Sequence, residues 1–590
     1  VSEILKDDFN SKSGGKKDWK LLKRLMKYTK PYVLIMVLCV ILIIVSSLCD
    51  VSKPFLMKLA IDDHIMAGDK NGVVLISILL FAALFVGFLA NYGQTYFLNY
   101  MGQKIIFKLR MDLFQHLQKL PLSFYDKNPV GKIVTRVTND MENINELFTS
   151  VIVTFLKDVS LLFFTASAMF MLNFKLAVVC FSTLPIVIVC TFFFRITSRN
   201  ANRKVKEKLS KINISLNENI MGMKTIQIFH KEKDIYNEFY KTNEEHKKAS
   251  MGELLVFSIF RPGMNLIYNI TLTILIWVGA NNMLSGVIEF GVLFAFIKYI
   301  QDFYDPIFDL SEKLNILQAA MTSAERIFGL LDIEITTNEI ANPISLPKLK
   351  GSIEFKNVWF RYDKDWVLKD VSFKIEPGEM AAFVGATGSG KTTIISLITG
   401  LYEIEKGQIL VDGIDINNIK KEDLRKQIAT VLQDVFLFSG KLKDNIRLNN
   451  KELTMDKIKQ VCDYVNATKF IEKLPGTFDH EVKERGATFS AGERQLLSFA
   501  RALIFDPSVL ILDEATANID TETESLIQDA IAKVTQDRTT IVVAHRLSTI
   551  QSADKIIVLH KGVLKEMGTH EELIEKKGLY YNLHSLQYNQ

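Results

Sequence analysis

Gly385-Ala386-Thr387-Gly388-Ser389-Gly390-Lys391-Thr392 is the stretch on which the reading of this chain turns. It fits the pattern G-x-x-x-x-G-K-[ST]. The apolar run Met380 to Val384 before it reads as a buried strand, and Thr393 to Thr399 after it reads as a helix. Glycines let the backbone curl so that its N–H groups converge on a polyphosphate. Lys391 reaches the β- and γ-phosphates, Thr392 offers a hydroxyl to Mg²⁺, and the helix N-terminus adds a favourable dipole. The competing explanation is a glycine-rich turn without a ligand, and the strand and helix flanks argue against it. The stretch predicts a nucleoside-triphosphate site.

Away from this loop the chain has two unlike halves. Its 590 residues are 48% hydrophobic, and the mean hydropathy of +0.16 averages long apolar runs before about residue 330 with mixed content after it. Six apolar cores lie near 32–49, 73–98, 148–172, 174–194, 253–280 and 287–308. Each is close to the roughly 20 residues a bilayer requires. The third and fourth are separated at Asn173 and form a tight hairpin. The net charge of +5 says little, but its distribution says more. Lys16 to Lys30 precede the first span, Lys104, Lys108, Arg110 and Lys119 follow the second, and Arg195 to Lys208 follow the fourth. The other connections are short and carry fewer cations, so the positive-inside rule predicts cytoplasmic termini. The first span is too long for a signal peptide and reads as an anchor.

Asp18 to Lys30 alternates Trp19, Leu21, Leu22, Leu25 and Met26 with lysine and arginine, as an amphipathic helix on a membrane face does. The two long cytoplasmic connections read as helix, with Ile105, Leu109, Leu113 and Leu117 at helical spacing in the first. The turns at Pro121–Asp126 and around Met221 to Lys224 are candidate docking contacts. No basic, aromatic-interleaved face is present, which argues against nucleic acid as a partner. Cys39, Cys49, Cys180, Cys190 and Cys462 lack metal or disulfide spacing and read as small buried hydrophobes. Pro343 and Pro347 mark a linker over 331–350, and beyond it strand-like and helix-like segments alternate as in an α/β domain.

Val509 to Leu512 is an apolar strand that ends in Asp513 and Glu514. Beside a phosphate loop, Asp513 can hold Mg²⁺ and Glu514 can polarise the attacking water. Alone, such a pair is more often a strand-end acidic turn. Between the two motifs lies Phe489-Ser490-Ala491-Gly492-Glu493-Arg494-Gln495, followed by a helical run through Ala502. On these residues the chain resembles an ATP-binding cassette exporter subunit of the half-transporter type over nearly its whole length.

The resemblance implies an all-α transmembrane domain (1–330) and an α/β phosphate-loop nucleotide-binding domain (351–590) that takes ATP and Mg²⁺. It assigns the phosphate loop through Thr393, Gln433, the signature residues Ser490, Gly492 and Glu493, Asp520, and the switch residue His545, in the family's order. Tyr362 matches the aromatic that stacks on adenine, and Glu484-Arg485-Gly486 resembles a loop that contacts the membrane domain. Catalysis then falls to Glu514, His545 and Gln433, and the metal to Thr392, Gln433 and Asp513. The signature serves a γ-phosphate bound to another subunit, so a second half-transporter is implied, together with membrane lipids and an amphipathic substrate. Against the family's usual Leu-Ser-Gly-Gly-Gln, this chain departs at Phe489, Ala491 and Glu493, which points to a non-identical partner. A lipid flippase or peptide exporter working as a homodimer is the alternative, and an ATP-gated channel or sensor is a further one.

Lys157, Asp158, Arg261, Lys298, Asp302 and Asp305 lie within the spans and are costly facing lipid, so each is expected against protein or a watery cavity. Phe294, Phe296, Tyr299, Phe303, Tyr304 and Phe308 make the sixth span aromatic, which suits either a substrate cavity or packing.

Overall fold

The computed structural model describes residues 15–335, 343–346, 348–513, 521–536, 538–543 and 547–588. The chain divides into two compact units, one formed by 1–118 with 130–333 and the other by 119–129 with 334–590.

The first unit is helical. Helix α1 (Gly15–Leu25) is amphipathic. Helices α2 (Val33–Leu59) and α3 (Lys70–Lys119) follow, and α3 carries the second apolar run straight through the 99–119 extension, as its leucine spacing predicts. The short helix α4 (Leu122–Lys127) belongs to the other unit. Then come α5 (Val130–Val137), α6 (Asn139–Glu146), α7 (Ile152–Leu172), α8 (Phe174–Phe181), α9 (Leu184–Met221), α10 (Glu232–Leu284) and α11 (Phe290–Leu331). Asn173 ends α7 and caps α8, its side chain accepting from Leu176 N–H at 3.0 Å, so the hairpin turns on one residue.

Among the described residues five helices are long and apolar enough to cross a membrane by length and composition. The sixth expected segment lies in the long helix α11, whose apolar run is diluted by Lys298, Asp302 and Asp305. Three of its aromatics, Phe296, Tyr299 and Tyr304, are buried in the helix bundle, so for them packing is the answer. Tyr304 Oη lies 2.9 Å from Thr183 Oγ1 and 3.0 Å from Thr271 Oγ1, and those two hydroxyls are 3.0 Å apart. Interhelical hydrogen bonds inside membranes are worth about 0.6 kcal/mol each, so this triangle sets register more than it drives assembly. Nearer one end, Asp62 Oδ1 accepts from Gly291 N–H at 2.6 Å and so caps the start of α11. Toward the other end, the buried Asp140 on α6 is held by Arg136 at 2.9 Å and by Ser323 of α11 at 2.8 Å.

The second unit carries an antiparallel sheet of β1 (Ile353–Phe360), β2 (Leu368–Ile375), β4 (Lys406–Val411) and β5 (Ile414–Asp415), in the order β2-β1-β4-β5. Its main sheet has six strands, counting those among the described residues. They are β3 (Met380–Val384), β6 (Ile428–Val431), β9 (Val509–Asp513), β10 (Thr539–Val543), β11 (Lys555–His560) and β12 (Val563–Gly568), in the order β12-β11-β3-β10-β9-β6. The remaining ribbon pairs β7 (Gly440–Lys441) with β8 (Glu481–Val482). Side chains alternate between two cores. Ala382, Val384, Leu510, Leu512 and Val542 pack on one face, and Ala381, Phe383, Val509, Ile511, Ile541 and Val543 on the other. A sheet buried on both faces needs apolar residues at every position, which is why these strands read as continuous hydrophobic runs. Ile344, inside the expected linker, bonds as a bridge to Ile419 and so belongs to this unit.

Candidate nucleotide site

Parallel register lines up the strand ends. Val543 pairs with Phe383 on one side and with Asp513 on the other, and Leu512 pairs with Val431. The ends of β3, β6 and β9, at Val384, Val431 and Asp513, therefore lie at one edge of the sheet. Ligands of open α/β sheets bind at that carboxyl edge. Gln433 lies two residues beyond β6 and is exposed. Glu514, Asp520 and His545 lie outside the described residues.

The phosphate loop has the geometry its glycines predict. Gly388 and Gly390 have φ of +78° and +105°, and Gly390 caps α12 (Lys391–Ile398), two residues earlier than the predicted start at Thr393. A Cβ on Gly385 would come within 2.2 Å of the Leu559 carbonyl, and one on Gly390 within 2.7 Å of Leu368 Cδ2. Both positions are closed to larger residues by backbone or core. Lys391 is buried, and its Nζ donates to the carbonyls of Gly385 at 2.6 Å and Ala386 at 3.3 Å. Ser389 is buried too, and its Oγ has no hydrogen-bond partner among the described residues, so it is available to a ligand in the loop. Thr392 is exposed. Burial pushes the Asp513 carboxyl above the ordinary aspartate range, and the Lys391 charge opposes that shift.

Tyr362 is 43% exposed and donates to Thr393 Oγ1 at 3.3 Å, which ties the aromatic to the helix that follows the loop. Its ring meets Tyr402 edge-on at 5.1 Å. An exposed tyrosine face fixed beside a phosphate loop is suited to stacking a base.

The signature stretch forms the start of α13 (Ala491–Leu503). Ser490 is its N-cap, and its Oγ accepts from Glu493 N–H at 3.1 Å. The Glu493 carboxylate returns to Ser490 N–H at 2.8 Å, which completes a capping box. The residues predicted to grip a phosphate thus serve each other. Gly486, in the turn at Glu484–Gly486, has φ of +65°, and a Cβ there would come within 2.7 Å of Leu437 Cδ1.

Sequence reading missed Arg501. It projects from α13, its Nη1 donates to the Phe436 carbonyl at 2.9 Å, and its Nε donates to the Asn445 carbonyl at 3.0 Å. Asn445 in turn clasps Phe438 through both its backbone groups, at 2.8 Å and 2.7 Å. The loop that begins at Gln433 is therefore strapped to the signature helix. The one available signal was a cation between the apolar residues Ala500 and Ala502, which is weak alone. Tyr402 and Asp126 were missed as a pair for the same reason, being 276 positions apart with no pattern linking them.

Two family models match the chain: the ABC transporter transmembrane region over residues 36–307 and the ABC transporter model over 368–517. A probable multidrug resistance ABC transporter ATP-binding/permease protein of Bacillus subtilis, YheH, is 42% identical over 88% of this chain and 78% of its own length. A putative ABC transporter ATP-binding protein of Streptococcus pneumoniae, exp8, is 38% identical over 96% of the chain and 97% of its own. An ATP-dependent lipid A-core flippase of Desulfotalea psychrophila is 33% identical over 96% of the chain and 99% of its own.

Proposed function

Since the chain belongs to the ABC transporters of the half-transporter type, a multi-pass membrane protein with a transmembrane region and an ATP-hydrolysing region in one polypeptide, we propose that it exports amphipathic small molecules, drugs or lipids, as one half of an unequal pair. ATP binding and hydrolysis drive transport in this family, and its exporters act as dimers. The finer reading is ours. Both termini lie in the cytoplasm, the protein resides in the plasma membrane, and alternating access carries the cargo outward. The names of the multidrug and flippase relatives support this choice of cargo.

The observation that carries the unequal pair is the closed capping box of Ser490 and Glu493 on a chain whose phosphate loop is intact. Ala491 places a Cβ where the usual signature has glycine, and Glu493 brings negative charge toward the phosphate its helix would serve. At an effective dielectric near 20, unit charges ~5 Å apart repel by about 3 kcal/mol. Lys391, Asp513 and Glu514 of this chain then complete the competent site with a partner whose signature is intact and whose catalytic carboxylate is degenerate. This chain's own signature closes a slower site. The exposed Ile220, Met221, Ile228 and Phe229 around the kink at Gly222 leave apolar surface that suits a second chain.

Thr392, Gln433 and Asp513 are the residues that would hold Mg²⁺, whose charge would stabilise the γ-phosphoryl group during transfer. An exposed hydroxyl and a strand-end carboxylate at the sheet's carboxyl edge fit such a hard cation. Glu514 and His545 would position the attacking water, and Tyr362 would stack the adenine; Asp520 completes the set of residues proposed for the nucleotide.

Purifying the chain alone tests the reading. We expect weak ATPase from it and brisk ATPase once the partner is added, with Glu514→Gln cutting the latter by roughly 10²–10⁴. Fast ATPase and transport by the chain alone would support the homodimeric reading.

A further inference from the structure

Near the start of the described part of the first unit lies a row of exposed cations. Lys20, Lys23, Lys27 and Lys30 recur at intervals of three and four residues, all are exposed, and none forms an ion pair among the described residues. Trp19, 68% exposed, lies at the edge of this stripe. The first apolar helix starts at Val33, so the stripe sits where a bilayer's headgroups begin. Exposed lysines beside a span match negative headgroups in charge and position.

The other flank of the same segment is bound to the bundle. Leu25 is fully buried. Arg24 grips Asp332 with two parallel bonds, Nη1 to Oδ2 at 2.7 Å and Nη2 to Oδ1 at 2.6 Å, while its guanidinium lies 4.3 Å from the centre of the Phe328 ring. Asp332 is the residue that ends α11. One arginine therefore ties the cationic segment to the residue that caps α11, next to the end of the first unit. That arginine is 38% exposed at its side chain, which leaves it reachable from outside. Guanidinium forks bind phosphate as well as they bind carboxylate.

We infer that the 20–30 segment is a sensor for anionic phospholipid: Lys20, Lys23, Lys27 and Lys30 collect headgroups, and a headgroup phosphate takes Arg24 from Asp332. Releasing Asp332 frees the end of α11, the helix continuous with the linker to the ATP-hydrolysing unit. Anionic lipid thus raises turnover. The inference stands on the membrane placement of α1 and needs no particular cargo.

The test uses the full chain with its partner, reconstituted in nanodiscs of phosphatidylcholine alone or with phosphatidylglycerol at about one third. The readouts are ATPase rate and the phosphatidylglycerol retained on the detergent-extracted protein. Wild type should turn over at least about two-fold faster with the anionic lipid. The quadruple K20Q/K23Q/K27Q/K30Q variant should retain less phosphatidylglycerol and stay at the slower rate in both bilayers. Asp332→Asn should run at the faster rate already in phosphatidylcholine, with lipid retention unchanged. A quadruple variant that responds like wild type, or an Asp332→Asn protein that still requires phosphatidylglycerol, overturns the inference. If the wild-type rate is the same in both bilayers it is overturned as well, whereas the export reading is judged separately by cargo transport in either bilayer.

Discussion

Tyr402 donates its hydroxyl to the Asp126 carboxylate at 2.6 Å, and the same ring meets Tyr362 edge-on at 5.1 Å. Asp126 lies on α4, a helix of six residues that groups with the nucleotide-binding unit although its neighbours on both sides belong to the helical bundle. The contact therefore joins Tyr362, proposed to stack the base, through Tyr402 to a segment whose two ends are covalently continuous with membrane helices. Burial and the Asp126 charge both push the Tyr402 phenol upward, so it stays a donor throughout the physiological range. Tyr402→Phe should leave basal ATPase within about two-fold and lower the stimulation by transported substrate. A hydrogen bond to a charged group is worth about 1.5–3 kcal/mol when shielded, and this exposed pair should give nearer 1. A double-mutant cycle with Asp126→Asn checks it, since additive losses would mean that the two residues act independently.

Arg501 should matter more for coupling than its place in the sequence suggests. Its guanidinium occupies the carbonyls of Phe436 and Asn445, and burial lowers its pKa. Arg501→Leu would leave those carbonyls unpaired at about 1–3 kcal/mol each where they cannot reach water. Arg501→Lys keeps the charge but loses the fork. We expect both variants to fold with reduced thermal stability, and the leucine variant to lose ATPase more than ATP affinity. Equal losses in binding and turnover would place Arg501 in scaffolding alone.

Glu493 has two separable roles, a cap and a charge. Glu493→Gln preserves an acceptor for Ser490 N–H, so stability should change by under ~0.5 kcal/mol while the charge disappears. Glu493→Ala removes half of the capping box, and losses of this kind cost about 0.5–2 kcal/mol. On the proposed unequal pair, in which this signature would serve the slow site, neither change should move the fast hydrolytic phase of the reconstituted pair by more than about three-fold. Single-turnover ATPase resolves the two phases. A ten-fold rise in the fast phase with Glu493→Gln would move the defect to the wrong site.

The phosphate loop was legible because its function constrains adjacent residues. Gly385, Gly388 and Gly390 are needed where a Cβ would strike Leu559 or Leu368 or where φ is positive, and Lys391 follows at once. The long membrane helices were legible from apolar runs, and the extension to Lys119 from leucine spacing. The limits of the sixth span were not, since Lys298, Asp302 and Asp305 dilute its hydropathy while Phe296 and Tyr299 bury themselves in the bundle. Contacts such as Arg501 with Phe436 or Tyr402 with Asp126 leave no local trace. They depend on which strands neighbour one another, and the order β12-β11-β3-β10-β9-β6 is a tertiary outcome. The capping box was hidden differently. Ser490 and Glu493 were read for the phosphate they resemble binding, although a serine followed three residues later by glutamate also spells a helix start.

Asp513 sets the last expectation, a pH dependence whose sign follows from its environment. Its carboxyl is held above the ordinary aspartate range by burial, with Lys391 as the opposing charge. A raised carboxyl binds more protons folded than unfolded, so on its own it favours the folded state below the shifted pKa and loses that contribution as pH rises through it. Metal binding has the opposite requirement, because Mg²⁺ needs the carboxylate. Apparent Mg²⁺ affinity in the presence of ATP should therefore begin to fall at a higher pH than for an ordinary aspartate, while the apoprotein gains slightly in stability over the same interval. Lys391→Met removes the opposing charge and should shift both trends to still higher pH. Asp513→Asn should abolish the pH dependence of metal affinity together with most of that affinity. Titrating Mg²⁺ at fixed ATP between pH 5 and 8, alongside melting of the metal-free protein, separates the two signs; parallel movement of both curves would show that Asp513 is not the group being titrated.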